Sequence, residues 1–156
     1  MSGKIKLLLL VLGIVLLGFG RDYLFMNINW IYLTLTTGRR NQALDEFHFL
    51  LQWTPAAINQ LKWVLTFLFS GLYLALTWLI IRQCFHNRLY NQISLLSYLA
   101  LTGLAFGLYL ISFLTGLSPN LYGVIRTLMG LVQSFMPLMI LYLLFKFLPK
   151  QSDQES

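Results

Sequence analysis

The sequence predicts an all-α fold: a four-helix transmembrane bundle with a short interfacial amphipathic helix in the outer loop between helices 1 and 2. Three observations lead there. Of the 156 residues, 58% are apolar and only 10% charged, and the mean hydropathy is +0.71, whereas soluble domains carry about 25% charged residues. Four apolar stretches are long enough, or nearly so, to cross a hydrocarbon core of about 30 Å, which takes about 20 helical residues. A chain that crosses lipid must also satisfy its backbone polar groups internally, which makes α-helices the default. The length allows one domain, read as a single multi-pass membrane unit with spans near 5–26, 56–82, 93–117 and 119–147 and an outer loop at 27–55. The same composition excludes disorder, which needs low hydrophobicity and high charge.

The first apolar run, Leu7 to Gly20, follows Lys4 and Lys6. Alone it reaches about 21 Å. That is the size of a signal-peptide core, and Gly18-Phe19-Gly20 offers small residues for cleavage. The run resumes at Tyr23-Leu24-Phe25-Met26, so a retained helix is expected, with Arg21 and Asp22 in its last turn. The second run, Trp63 to Ile81, is uncharged, and Thr54-Pro55 predicts an N-cap with proline in the first turn. The third, Ile93 to Leu117, is also uncharged. The fourth opens on Ser118-Pro119 and continues to Phe147, with Arg126 and Pro137 inside it. Gly103-x-x-x-Gly107 with Ala100, and Gly71-x-x-x-Ala75 beside Ser70, predict small-residue faces for packing within the bundle. In the outer loop, Ala43, Leu44, Phe47, Leu50 and Leu51 recur at helical spacing, with Asn41 placed to cap them. Trp30 to Thr37 alternates weakly and is β-branched, a pattern open to either helix or extended chain.

Eleven Lys+Arg against five Asp+Glu give a net charge of +6. These cations are scattered and flank apolar segments, where they anchor helices and meet anionic head groups, so a lipid bilayer and not a nucleic acid is the expected partner. Lys4, Lys6, Arg82, Arg88, Lys146 and Lys150 fall on one side, and Arg21, Arg39, Arg40 and Lys62 on the other, with Arg126 inside a helix, a weak bias of six against five. Acidic Asp22, Asp45 and Glu46 join the second group. This bias predicts cytoplasmic termini. A lone Cys84 and the lack of any Asn-x-Ser/Thr acceptor suit a bacterial plasma (inner) membrane.

Catalytic constellations, metal sets and cofactor motifs are not evident. Cys84 and His86 are two apart and do not face each other on a helix. His48 beside Asp45 and Glu46 lacks a fourth ligand. The informative residues are the charges within spans, which face a partner or a cavity. Arg126, Asp22, Arg21 and Gln133 form the candidate polar core, with an Arg126–Asp22 pair as its simplest form. Arg126, Gly130, Gln133 and Pro137 share one helical face, and Pro137 should kink that helix. Trp30, Arg39, Arg40, Phe47 and Trp53 form the candidate partner surface, since aromatics and arginine enrich interfaces.

A first helix ending in Arg21-Asp22 followed by Leu24-Phe25, a mixed outer segment, two uncharged helices, and a last helix with Asn120-Leu121-Tyr122, Arg126 and Gln133-x-x-x-Pro137 form a layout. Over most of the chain this layout resembles the small membrane proteins encoded beside bacterial exosortases, such as the exosortase F-associated family. The chain has Asn27-Ile28-Asn29-Trp30 where that family carries Asp-Pro. The resemblance implies an accessory partner of a sorting enzyme, not the enzyme, because exosortases use an outer-facing cysteine and Cys84 is expected to face inward. The expected function is a non-catalytic accessory or assembly subunit. The alternative is a small binding or transport protein with an outer-facing polar cavity for an anionic or lipid-like ligand.

Overall fold

In an apolar chain the backbone N–H groups have no better partner than the carbonyl four residues back, and helix follows almost everywhere. The computed structural model describes residues 3–115 and 118–147, with all side chains except those at 109, 112, 113, 115, 118–122 and 126. Three helices are long and apolar enough to cross a membrane: α1 (Gly3–Thr37), α2 (Pro55–Phe85) and α3 (Arg88–Thr115), the last by its stretch Arg88–Leu108. The remaining two, α4 (Ser118–Val132) and α5 (Met136–Phe147), are bent by 59° at a short break and make a fourth crossing only if taken as one broken span.

α1 does not stop near residue 26. It continues as one 35-residue helix to Thr37, about 52 Å of rise, so 27–37 is helix and not loop. The hydroxyls of Thr34, Thr36 and Thr37 donate to the carbonyls of Trp30, Tyr32 and Leu33 at 2.7–2.9 Å. Bonding back one turn lets a β-branched residue sit in a helix. Gly38, at φ +67, ends α1 by donating its N–H to the Thr34 carbonyl at 3.0 Å, a left-handed stop that glycine adopts without strain.

The expected amphipathic α-helix is instead a 3-10 helix, Asp45–Gln52. Asn41 turns the chain just before it, accepting from the Ala43 N–H at 3.0 Å. The cap position falls to Leu44, whose N–H is met by the buried Asn27 of α1 at 2.9 Å. Asn27 completes itself by donating to the Tyr23 carbonyl at 2.8 Å. One turn earlier the Tyr23 hydroxyl donates to Glu46 at 2.9 Å, and its ring meets Phe47 edge-on at 5.6 Å. Beneath these contacts Ile28, Ile31, Ala43, Phe47, Leu50 and Ile58 form a small core of their own.

α2 starts as the sequence predicts: Thr54 accepts from the Ala57 N–H at 3.2 Å and Pro55 opens the helix. It ends at His86, at φ 49. Asn87 then turns the chain, its side chain accepting from the Leu89 N–H at 2.8 Å, and α3 returns antiparallel to α2. The larger core lies here: Ile14, Tyr73, Ile80, Tyr98, Val132 and Phe145 are among its members. A buried hydroxyl pair, Thr77 and Tyr98 at 2.9 Å, ties α2 to α3. Gly18 lets α1 approach α2, because a Cβ there would lie 3.1 Å from the Tyr73 hydroxyl. Of the small-residue faces expected to pack, Ser70 is buried and meets Gln133, whereas a Cβ at Gly71, Gly103 or Gly107 would meet nothing among the described residues within 4 Å. Large apolar side chains such as Leu8, Phe19, Val64 and Leu96 cover the exterior, a surface suited to lipid and not to water.

Removing the Asn27 amide tests how the 3-10 helix is held. Asn27→Ala leaves the Leu44 N–H without its partner, a loss of about 1–3 kcal/mol. Trypsin cleavage at the neighbouring Arg39 and Arg40 should accelerate in the purified protein; an unchanged cleavage rate would show that Asn27 holds nothing.

Candidate functional site

Arg21 lies at mid-length of α1. Its Nε donates to Gln133 Oε1 at 2.8 Å, its Nη1 meets Asp22 Oδ1 at 2.8 Å, and its guanidinium carbon lies 5.5 Å from the centre of the Phe25 ring. Gln133 is buried, 3% exposed, and donates both amide hydrogens to α2, to the Thr66 carbonyl at 2.8 Å and to Ser70 Oγ at 3.0 Å. One side chain therefore joins α1, α2 and the end of α4.

The depth of this junction follows from α2. Its uncharged stretch runs between Lys62 and Arg82, and each of these cations rests on an aromatic ring, Lys62 on Tyr32 at 4.6 Å and Arg82 on Trp78 at 5.3 Å. Such pairs suit the two edges of a hydrocarbon layer. Thr66 and Ser70 stand four and eight residues in from Lys62, between about 6 and 12 Å. Arg21 is thus drawn among apolar residues, where an unpaired charge is costly. Asp22 neutralises it, and Gln133 supplies the directed acceptor that a guanidinium N–H requires.

The helix break is what delivers Gln133. The Ser134 hydroxyl donates to the Leu131 carbonyl at 2.7 Å and accepts from the Met136 N–H at 3.2 Å, so it serves both helix ends. Pro137 is the second residue of α5, where its missing N–H costs nothing. The expected kink at Pro137 is therefore a full break at 133–135, and the face expected to run from Arg126 to Pro137 is not continuous.

Of the expected polar core, Arg21, Asp22 and Gln133 come together. The Arg126 side chain lies outside the described residues, and the partner Asp22 shows is Arg21. On the candidate partner surface, Arg39, Arg40 and Trp53 are exposed and Trp30 is half-buried. Phe47 is a correction: it is buried at 9% exposure in the small core. The cause is the continuation of α1: Phe47 and Leu50, three apart, turn onto Ile28 and Ile31, while Glu46, Phe49 and Gln52 face outward. Phe49, which a period of 3.6 does not single out, is 58% exposed and packs edge-on against Trp53 at 6.5 Å.

His48 lies 3.6 Å from Asp45, with Glu46 turned to Tyr23. Among the described residues no three potential ligands cluster to hold a metal. Cys84 and His86 line an open cleft at the other end of the molecule, beside Lys4 and Lys6. No family model, curated protein or solved structure matches the chain.

The junction makes a quantitative prediction. Gln133→Leu should destabilise the protein by about 1–3 kcal/mol, because it strands the Arg21 Nε–H. The Arg21→Met, Gln133→Leu double variant should be more stable than the sum of the two single losses, read as a thermal-unfolding cycle in one detergent. Simple additivity would mean the two side chains do not interact.

Proposed function

We propose that this chain is a non-catalytic accessory or assembly subunit of a bacterial membrane protein system. In this reading it is a four-helix bundle in the plasma membrane, with cytoplasmic termini and the 3-10 helix at the outer interface. Its partner is another membrane protein, an exosortase-type sorting enzyme if the family resemblance holds. The observation that supports the proposal is the build of the outer segment. Asn27, Tyr23 and the small core pin the 3-10 helix to α1 on one side. On the other side it presents the Phe49–Trp53 pair, with exposed Arg39 and Arg40 nearby in sequence. Rigidly supported aromatics beside arginines have the composition of interface anchors. The alternative, an outer polar cavity around Gln133, has less support, because both amide hydrogens of Gln133 are taken by α2.

A photo-crosslinking residue in place of Phe49, in native membranes, tests this. The expected product is one discrete membrane-protein adduct, reduced at least about tenfold by Trp53→Ala, as for an interface anchor. The same probe at lipid-facing Val64 should give lipid adducts. Lipid adducts alone at both positions would contradict the docking role.

A further inference from the structure

The end of the molecule opposite the 3-10 helix carries cations with no acidic partner among the described residues. Two open clefts flank the last turn of α2. The first, about 670 Å³, lies between the start of α1 and the end of α2 and is lined by Lys4, Lys6, Arg82 and His86. The second, about 450 Å³, lies between the end of α2 and the start of α3 and is lined by the same Arg82 and His86 together with Arg88. Arg82 is thus shared. The Trp78 ring, 5.3 Å away, supports its guanidinium plane. No ion pair among the described residues involves any of these cations. The acidic residues that are described, Asp22, Asp45 and Glu46, lie at the Arg21 junction or beyond it.

Scattered basic residues at helix ends are ordinary, but these line concave surfaces that are apolar on one side. Leu7 and Leu79 line the first cleft and Leu95 the second, and Leu79 and Leu95 are exposed. Arg82 closes the uncharged stretch of α2, so the cations sit at head-group level and the leucines at acyl-chain level. A free anion would use only the charged rim; a phospholipid would use both.

We propose that these paired clefts bind the phosphate of an anionic glycerophospholipid, with Arg82 donating from the shared wall and Leu7, Leu79 and Leu95 against its acyl chains. A guanidinium on a ring offers fixed N–H edges to phosphate oxygens, and basic pockets between helices are known to take anionic head groups. The site is independent of the partner surface, which lies at the other end.

Native mass spectrometry of the full-length protein in mild detergent tests the assignment, with phosphatidylglycerol and phosphatidylcholine as probes. Phosphatidylglycerol should remain bound under activation that strips phosphatidylcholine. Arg82→Gln should lower its occupancy about fivefold or more, the effect of one basic residue at a lipid surface. Lys146→Gln, at the end of α5 and outside both clefts, should leave occupancy unchanged. Millimolar inorganic phosphate should not displace the lipid. Equal binding of both lipids, or equal loss in the two variants, would reduce the site to diffuse charge, and displacement by phosphate would make it a free-anion site; each overturns the proposal. If Arg82→Gln does not fold, the Lys6→Gln, Arg88→Gln pair on the opposing walls gives the same reading.

Discussion

Arg21 carries a guanidinium to the level of Thr66 and Ser70, between about 6 and 12 Å in from the Lys62 end of the uncharged stretch of α2. Much of the architecture can be derived from what that charge requires. Asp22 supplies the counter-charge from the same helix at Nη1, which leaves the Nε–H to be met elsewhere. That acceptor comes from Gln133, 112 residues away. Gln133 can point there because α4 stops at Val132 and α5 departs at 59°. The amide then has two hydrogens to place, and α2 takes both through the Thr66 carbonyl and Ser70. In an apolar surround such a directed set specifies which helices meet and in what register, which dispersion between leucines does poorly.

The second organising feature is the length of α1. A helix of about 52 Å exceeds a core of about 30 Å, so part of it projects beyond the span. That projecting part has Ile28 and Ile31 on one face, and the chain after Gly38 folds back to cover them with Phe47 and Leu50. The molecule therefore has two cores with the Arg21 junction between them. One is bounded by the projecting end of α1, the 3-10 helix and Ile58. The other is bounded by α1, α2, α3 and α5, where Tyr90 and Phe145 stack at 4.4 Å and Phe85 meets both edge-on.

Composition and hydropathy made the helical class and the three long apolar helices legible, and Thr54-Pro55 marked the start of α2 to the residue. Arg21, Asp22 and Gln133 were also legible, because charged and amide residues within apolar runs demand partners. Which of them pair was not, since pairing depends on the register between helices far apart in sequence. The continuation of α1 was hidden by β-branched residues whose hydroxyls find helical partners only once the helix exists. Asn27 reads as an ordinary polar residue until the returning chain brings Leu44 to it. Phe49 was missed because a 3-10 turn and an α-turn share residue preferences but not a period, and Phe47 was misplaced because nothing in the sequence shows that α1 continues beneath it. Gly71, Gly103 and Gly107 meet no described neighbour at Cβ distance, since small residues permit close approach without requiring it.

The meeting of α1, α2 and α4 rests on the Arg21–Gln133 bond. NMR of the protein in detergent micelles, with Arg21 Nε labelled with nitrogen-15, observes it directly. The expected spectrum shows an Arg21 Hε resonance protected from water exchange, with a nuclear Overhauser contact to the Gln133 side-chain amide protons. An Hε resonance that exchanges freely with water and shows no contact to Gln133 would contradict it.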